Sequence, residues 1–317
     1  MDSRKIIKFG TSSYVVTLPN VWLKENNLKK GDEINLCNSK NLLVFSLKKE
    51  NEERVAKINL ENKPLKLFNR ELISYYLKNF KIIEIIGTNL LDKIEQIKVF
   101  KEKLSSVEIV EISNEKIILK DLTSPQELDL LRIVSDLINM EKMLFSNLIK
   151  INLDHNIKIK KYSILTQLDS NINKLSFLAF KAINYNLDHI FDPEQVKDSI
   201  HYWRIVSSFE HIGDIIKRIA RYLRNDNSEV ISHFTKLFQD VSQYFDFIAK
   251  FLTKEIKLEN NLKIHLDKKQ SLLREFELIR TSMKSNLNLY LVLTQLLKDI
   301  LGQLDIVVLS IIDLDHK

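Results

Sequence analysis

Apolar residues recur every three or four positions through most of residues 122–317. This spacing places them on one face of an α-helix, and only five glycines and four prolines occur in the 317 residues to interrupt it. The pattern predicts six helices, and the capping sequence SPQE at Ser124 predicts the start of the first. We expect these helices near 125–151, 157–187, 194–225, 228–257, 261–284 and 287–314.

The six predicted helices fall into two similar groups of three. In each group an amphipathic helix is followed by a polar, lysine-rich helix and then by a long apolar one. Such self-similarity indicates an internal repeat, and amphipathic helices of this length pack as bundles. Residues 122–317 are therefore predicted to form a mainly α bundle of two three-helix repeats.

The first 50 residues have the alternating pattern of β-strands instead. Four strands are predicted in RKIIKFG, YVVTL, DEINLC and LLVFSL, with a short helix beginning after Pro19 and closing near Asn27. Four short strands in about 50 residues cannot bury a hydrophobic core by themselves. A second copy of the chain is therefore expected to complete this all-β domain.

Residues 51–121 are predicted to form a small α/β module between these two regions. A helix, the buried-strand sequence KIIEIIG and a second helix are followed by two alternating strands, VEIVEIS and KIILKDL, with a turn at Asn114. The module has no glycine-rich phosphate loop and no cluster of His or Cys, so we expect a structural or dimerising role. The chain thus divides into predicted domains at 1–50, 51–121 and 122–317.

Composition indicates a soluble cytoplasmic protein. The single cysteine, Cys37, excludes an intramolecular disulfide and a site with several cysteine ligands. The most apolar segment near the end, LGQLDIVVLSIIDL, contains Asp305 and is too short to cross a bilayer, so no membrane insertion is expected. The formal net charge of +6 permits a polyanionic partner. Its excess lies mostly in residues 1–50, where nine Lys/Arg minus five Asp/Glu leave +4.

The sequence offers no catalytic machinery. The seven histidines are scattered, and no nucleophile motif appears, so we expect neither an enzyme nor a cofactor. The strongest polar constellation is SSFEHIGDIIKRIARYL, where Glu210 and Asp214 lie one helical turn apart. Paired carboxylates can bind a hard cation with help from a second helix, or they can pair with the cations of the same helix. Gly213 between them predicts a close helix crossing.

Residues 4–48 closely resemble the AbrB/SpoVT/MazE swapped-hairpin DNA-binding domain, through the sequences SSYVVTLP and LKKGD. The resemblance implies that two chains interleave their hairpins into one small barrel, forming a homodimer. It also implies that the loop KFGTSSY faces double-stranded DNA. Basic side chains and short hydroxyl groups are suitable ligands for phosphates. The candidate DNA-binding residues are Arg4, Lys5, Lys8, Ser12, Ser13 and Lys24.

Residues 122–317 resemble PhoU, since FEHIGDIIKRIA is similar to that family's LERIGDHAVNIA helix, and RELISYYLKNFKIIEIIG resembles the linker module of archaeal PhoU-like proteins. Together the resemblances imply a transcriptional regulator of phosphate uptake and homeostasis with a PhoU-like sensing domain. An alternative is a signalling adaptor that docks on a phosphate transporter or sensor kinase and uses its first domain only to dimerise. An antitoxin-like partner is disfavoured, because antitoxins usually append a short disordered tail rather than a long helical region.

The PhoU resemblance also implies a metal site for a divalent metal or iron at Glu210 and Asp214. An acid from the neighbouring helix would complete it, and the sequence LDSNINKL offers Asp169. In this chain, however, Arg218 occupies the position one turn beyond Asp214, where the family has a polar ligand. An arginine beside two carboxylates supplies the positive charge that a cation would bring. We therefore expect a salt-bridge cluster of Glu210, Asp214 and Arg218 without a tightly held metal.

Overall fold

The structure, a computed structural model, forms two compact units, Met1–Glu52 (unit 1) and Glu53–Lys317 (unit 2). The predicted α/β module and helical region thus lie within one compact unit. The division of the chain into three domains stays a prediction. The residues that the structure describes are 3–39, 42–47, 53–150, 155–189, 193–224, 230–282 and 287–315.

Unit 1 contains two antiparallel hairpins that form separate two-stranded sheets within the described residues of one chain. None of its described side chains is buried. The four predicted strands and the short helix are present, whereas the barrel that would unite the hairpins requires strand pairing beyond that of a single chain. The elements are β1 (Ile7–Phe9), β2 (Ser13–Val15), α1 (Asn20–Glu25), β3 (Ile34–Ser39) and β4 (Leu42–Leu47).

Local chemistry explains where the elements of unit 1 end. Helix α1 begins after Pro19, which has extended backbone and lacks the N–H that would be unsatisfied there. It closes at Asn27, which has the predicted left-handed backbone with a φ of 54°. The turn before β3 requires Gly31, whose φ is +100°. The Asp32 carboxylate stabilises that turn by accepting a hydrogen bond of 2.6 Å from the backbone N–H of Lys29.

The first part of unit 2 is a four-stranded sheet with the strand order β5-β6-β8-β7. Strands β5 and β6 are parallel and connected through α2, while β8 is antiparallel to both of its neighbours. Alternate strand residues such as Ile58, Ile85 and Leu119 are buried together with Phe68 and Leu72 of α2. The elements are β5 (Val55–Asn59), α2 (Leu65–Leu77), β6 (Ile82–Ile86), α3 (Ile94–Lys101), β7 (Val107–Ile112) and β8 (Lys116–Asp121).

The second part of unit 2 consists of long helices that share one hydrophobic core. Three phenylalanines illustrate this sharing, since the ring of Phe245 lies 5.4 Å from that of Phe145 and 5.9 Å from that of Phe209. All six predicted helices are present, and none of the described helices is long and apolar enough to cross a membrane. They are α4 (Leu130–Ile149), α5 (His155–His189), α6 (Pro193–Arg224), α7 (Val230–Leu252), α8 (Leu262–Ser282) and α9 (Leu287–Asp315).

The predicted start of the first long helix is wrong by several residues. Ser124 makes no side-chain cap, and the sequence after it forms only a short 3₁₀ turn, Pro125–Glu127. Leu128 then has an extended backbone, with a ψ of 115°. The cap of α4 is Asp129, whose carboxylate accepts hydrogen bonds from the backbone N–H groups of Leu131 and Arg132. An aspartate at this position satisfies helical N–H groups that would otherwise lack partners.

Helix α5 joins the sheet to the helical core. Lys181 of α5 forms an ion pair with Asp121 of β8, and both side chains are almost completely buried. The Lys181 ammonium also lies 4.3 Å from the centre of the Tyr76 ring. Burial and nearby Lys81 lower the pKa of Lys181 to about 7, whereas contact with the Asp121 carboxylate favours the charged form. We infer that the ion pair with Asp121 keeps Lys181 charged, because opposite charges attract strongly where water is excluded.

Candidate nucleic-acid interface and acidic cluster

The β1–β2 hairpin has two chemically different faces. Residues directly opposite each other in an antiparallel pair share a face of the sheet. The register pairs Ile7 with Val15 and Phe9 with Ser13, so these four residues lie on one mainly apolar face. Lys8 pairs with Tyr14 and lies on the other face. The hairpin therefore separates an apolar surface from a surface with a cation and a phenol.

The structure brings some of the candidate DNA-binding residues together and separates others. Lys8 shares its face with Tyr14, which is 68% exposed. Ser13 lies on the opposite, apolar face, so Lys8 and Ser13 cannot present one continuous surface. Ser12 lies in the turn between the strands, which begins at Gly10 with a φ of +73°. The remaining candidates are also exposed: Arg4 and Lys5 precede β1, and Lys24 lies on α1.

Tyr14 is a candidate contact that the sequence reasoning missed. Its side chain is large, exposed and aligned with Lys8 across the hairpin. The phenol can donate a hydrogen bond to a phosphate oxygen, and its ring can pack against a sugar or base. The alternation of the strand sequence showed that Tyr14 lies on one face of its strand. Only the register of the hairpin shows that Tyr14 pairs with Lys8.

Of the acidic pair of α6, Asp214 belongs to a salt-bridge cluster between α5 and α6, whereas Glu210 forms no ion pair with any described residue. The Nζ atom of Lys217 lies 2.5 Å from Oδ2 of Asp169 and 3.0 Å from Oδ1 of Asp214. Burial tends to lower the pKa of Lys217, but hydrogen bonds to these two carboxylates and their charges raise it above its ordinary value. Burial raises the pKa of Asp169, and Lys217 opposes that shift. Lys217 therefore supplies the positive charge between two helices.

The prediction that Arg218 is the cation of this cluster is wrong. Arg218 is exposed, and its guanidinium forms no ion pair with any residue that the structure describes. Successive residues of an α-helix differ by about 100° around its axis. Lys217 lies at the border of the buried face of α6, toward Asp169, whereas Arg218 is rotated away into solvent. Spacing along one helix showed which cations were near Asp214, but not which one faced α5.

Glu141 of α4 is a further acid of this cluster that the sequence reasoning missed. Its side chain is fully buried, and neither carboxylate oxygen has a hydrogen-bond partner within the described structure. Burial raises the pKa of Glu141 well above its ordinary value, and the charges of Asp169 and Glu210 raise it further. A buried carboxyl without a compensating cation is expected to be protonated. Burial therefore favours the neutral, protonated form of Glu141.

Gly213 provides the space that Glu141 occupies. A Cβ atom at Gly213 would lie 3.3 Å from Oε1 of Glu141, 3.5 Å from Cδ1 of Ile172 and 3.6 Å from Cδ1 of Leu144. These contacts reach both α4 and α5, in agreement with the close crossing predicted for this glycine. A side chain here would displace the buried carboxyl or the apolar groups beside it.

The acids around α6 do not fit a tightly bound metal. The ammonium group of Lys217 lies between Asp169 and Asp214, where a cation would have to bind. Glu210, the third candidate ligand, is half-buried, and burial raises its pKa, as do the charges of Asp214 and Asp169. Within the described ranges, no three His, Cys, Asp or Glu side chains are arranged to hold a metal ion. A hard cation needs more ionised oxygen ligands than this cluster offers.

Comparison with known protein families finds a match for the first unit. The family model described as antidote-toxin recognition MazE, bacterial antitoxin, matches residues 7–43. Unit 1 is similar to the MazE family. The MazE match covers β1, β2, α1 and β3, which include the hairpin with Lys8 and Tyr14. A search of curated proteins finds no match.

Proposed function

We propose that this chain is a DNA-binding transcriptional regulator that acts as a homodimer through unit 1. The observation that carries the proposal is the pair of faces on the β1–β2 hairpin, one apolar and one with Lys8 and Tyr14. The similarity of residues 7–43 to MazE supports the same reading. A regulator of this kind needs one surface for its partner chain and another for DNA, and the hairpin has both.

The apolar face explains why a second copy is needed. Ile7 is 51% exposed and Phe9 is 69% exposed in a single chain. An isolated two-stranded hairpin is marginally stable in water, and unit 1 contains two of them. Exchange of hairpins between two chains would bury these side chains in a common barrel. Each fully buried side chain of this size contributes about 1.5–3 kcal/mol.

The opposite face then remains available for DNA. Lys8 and Tyr14 would face outward when Ile7 and Phe9 are covered, and the turn with Ser12 lies beside them. The positive charge of residues 1–50 attracts a polyanion, and each lysine that neutralises a phosphate releases condensed counterions. Binding is therefore expected to weaken as the salt concentration rises.

The test of DNA binding uses the full-length chain and fluorescent duplex DNA across a range of salt concentrations. The double variant Lys5→Ala/Lys8→Ala should bind all duplexes more weakly, and the slope of log K against log salt should fall by about one for each lost phosphate contact. Lys66→Ala, which removes an exposed lysine of α2, is the matched control. Wild-type protein that binds no duplex, or a double variant indistinguishable from wild type, would contradict the proposal and favour the adaptor role.

We further propose that the regulated process is phosphate uptake. This part rests on the resemblance of residues 122–317 to PhoU. Mapping of binding sites across the genome of the native cell tests it, because sites should lie beside genes for phosphate uptake. An adaptor would have no such sites and would co-purify with a phosphate transporter or sensor kinase. An antitoxin would instead neutralise the toxicity of a protein encoded beside it.

A further inference from the structure

The last ten residues of α6 have an unusual charge distribution. The sequence IIKRIARYLR, residues 215–224, contains four cations and no acid, whereas the four acids of α6 all precede it. Outside residues 1–50 the chain is nearly neutral, because 48 − 9 = 39 Lys/Arg face 42 − 5 = 37 Asp/Glu. The positive charge at this end of α6 is therefore a local feature of unit 2.

Two of the four cations are exposed to solvent. Lys217 already pairs with Asp169 and Asp214, and the latter is the nearest acid on α6. Arg218 and Arg221 are exposed and form no ion pair with any described side chain. Their positions, three residues apart, place them on the same side of the helix.

An aromatic side chain lies within this basic surface. Tyr222, four residues after Arg218, is 44% exposed. Residues 218, 221 and 222 therefore share one solvent-facing side of α6, which we name the α6 basic face. Arg224, in the following turn, lies over the ring of Tyr162 at 4.7 Å and so contacts the beginning of α5.

Stabilisation of the helix end explains only part of this arrangement. Cations in the last turn interact favourably with the helix dipole, and Arg221 and Arg224 lie there. That interaction fades beyond the last turn, so it does not explain Arg218. It also does not require an exposed tyrosine beside the arginines. Guanidinium groups that bind phosphate oxygens in pairs, next to an O–H donor, are the chemistry of a nucleic-acid backbone contact.

We propose that the α6 basic face binds the phosphate backbone of DNA outside the segment contacted by unit 1. The inference rests on the proposed DNA binding by unit 1, because a duplex held there raises the effective concentration of phosphates near the rest of the chain. The contact is electrostatic and independent of sequence. It lengthens the DNA segment that each dimer occupies and adds to affinity without adding sequence preference.

The experiment compares full-length wild type with Arg218→Glu/Arg221→Glu on two duplexes. One duplex is only long enough for unit 1, and the other extends well beyond it on both sides. The variant should bind the long duplex at least about tenfold more weakly at low salt, with a salt slope smaller by about two units per chain, and should bind the short duplex like wild type. Arg218→Lys/Arg221→Lys should retain most of the slope, because the charge remains. Arg132→Glu/Arg274→Glu, at two other exposed arginines of unit 2, is the matched control.

Each result distinguishes this inference from the proposed function. Equal binding of the long duplex by wild type and Arg218→Glu/Arg221→Glu would overturn the inference and leave DNA binding by unit 1 intact. Wild type that binds neither duplex would overturn both. If Arg218→Glu/Arg221→Glu binds DNA like wild type but no longer binds vesicles of anionic phospholipid, the α6 basic face contacts a membrane surface. That result would also overturn the inference. Circular dichroism and sedimentation confirm that every variant keeps its fold and dimeric state.

Discussion

Unit 1 and unit 2 bury their apolar side chains to opposite extents. In unit 1 the described side chains of one chain are all at least partly exposed, whereas unit 2 contains two hydrophobic cores of its own. Unit 2 can therefore fold within one chain, while unit 1 is expected to need a second. Because dimerisation follows mass action, the stability of unit 1 should rise with protein concentration and that of unit 2 should not.

The two units also differ in where their ionisable side chains lie. The charged candidates of unit 1 lie in solvent, where they can meet phosphates. Unit 2 instead buries ionisable groups inside its core, as in the ion pair of Lys181 with Asp121 and the carboxyl of Glu141. Substitutions in unit 1 should thus affect assembly and binding, whereas those at the buried ionisable groups of unit 2 should affect the free energy of unfolding.

The largest effect is expected from charges on the apolar face of unit 1. The variant Ile7→Asp/Val15→Asp places two carboxylates where the barrel would exclude water, at a cost of at least about 3 kcal/mol and hence a dimer more than about 100-fold weaker. Sedimentation velocity measures the shift from dimer to monomer. Leu131→Asp/Leu309→Asp, at two exposed leucines in the helical part of unit 2, should leave the dimer unchanged. A dimer that persists in the first variant would show that unit 1 does not hold the chains together.

The next effect concerns the buried pair between the sheet and α5. Lys181→Met leaves the Asp121 carboxylate buried without its cation, which should lower the free energy of unfolding of unit 2 by about 3–5 kcal/mol. Urea unfolding followed by circular dichroism measures the change. Adding Asp121→Leu should recover most of the loss, because an apolar pair needs no charge compensation. If Lys181→Met costs no more than Lys250→Met at an exposed site, the pair does not stabilise unit 2.

Glu141 should make the stability of unit 2 depend on pH. Its pKa is raised in the folded chain, so above about pH 4.3 the unfolded chain loses a proton that the folded chain keeps. Stability then falls by about 1.4 kcal/mol per pH unit until the folded chain also ionises. Glu141→Gln cannot ionise and escapes this loss. Its stability relative to wild type should therefore increase by about 1–3 kcal/mol between pH 5 and pH 7 in urea unfolding.

A matched substitution tests whether this pH dependence comes from burial. Glu127→Gln neutralises an exposed carboxyl next to the start of α4. Its stability relative to wild type should not change between the two pH values. Parallel curves for wild type and Glu141→Gln would show that Glu141 ionises in the folded chain.

The smallest effect distinguishes the two neighbouring cations of α6. Lys217→Met removes the ammonium between Asp169 and Asp214 and should destabilise unit 2 by about 1–2 kcal/mol. Arg218→Met should change stability by less than about 0.5 kcal/mol, because Arg218 is exposed. Thermal unfolding of the two variants side by side measures the difference. A larger loss of stability in Arg218→Met than in Lys217→Met would show that Arg218 is the cation of the cluster.

The sequence by itself was sufficient for most of the secondary structure, and it predicts that unit 1 needs a partner chain. Apolar residues recur about every two positions in the strands of unit 1 and about every 3.6 positions in the six long helices. These patterns depend only on residues that are close together in the sequence. The missing core of unit 1 follows from the shortness of its strands. The local sequence does not determine where α4 begins, because Ser124 and Asp129 both have capping side chains and only the extended backbone at Leu128 selects the second.

Only the tertiary structure decided which polar groups meet inside unit 2. Lys217 lies 48 residues from Asp169, and neither helix alone shows that these side chains face each other. Glu141 is an ordinary acid in the pattern of α4, and only the structure shows that it is fully buried next to Gly213. Periodicity reports which side of a helix is apolar, but contacts between helices depend on how each is rotated and displaced against the others. That arrangement results from packing of the whole core, so the residues of one helix cannot specify it.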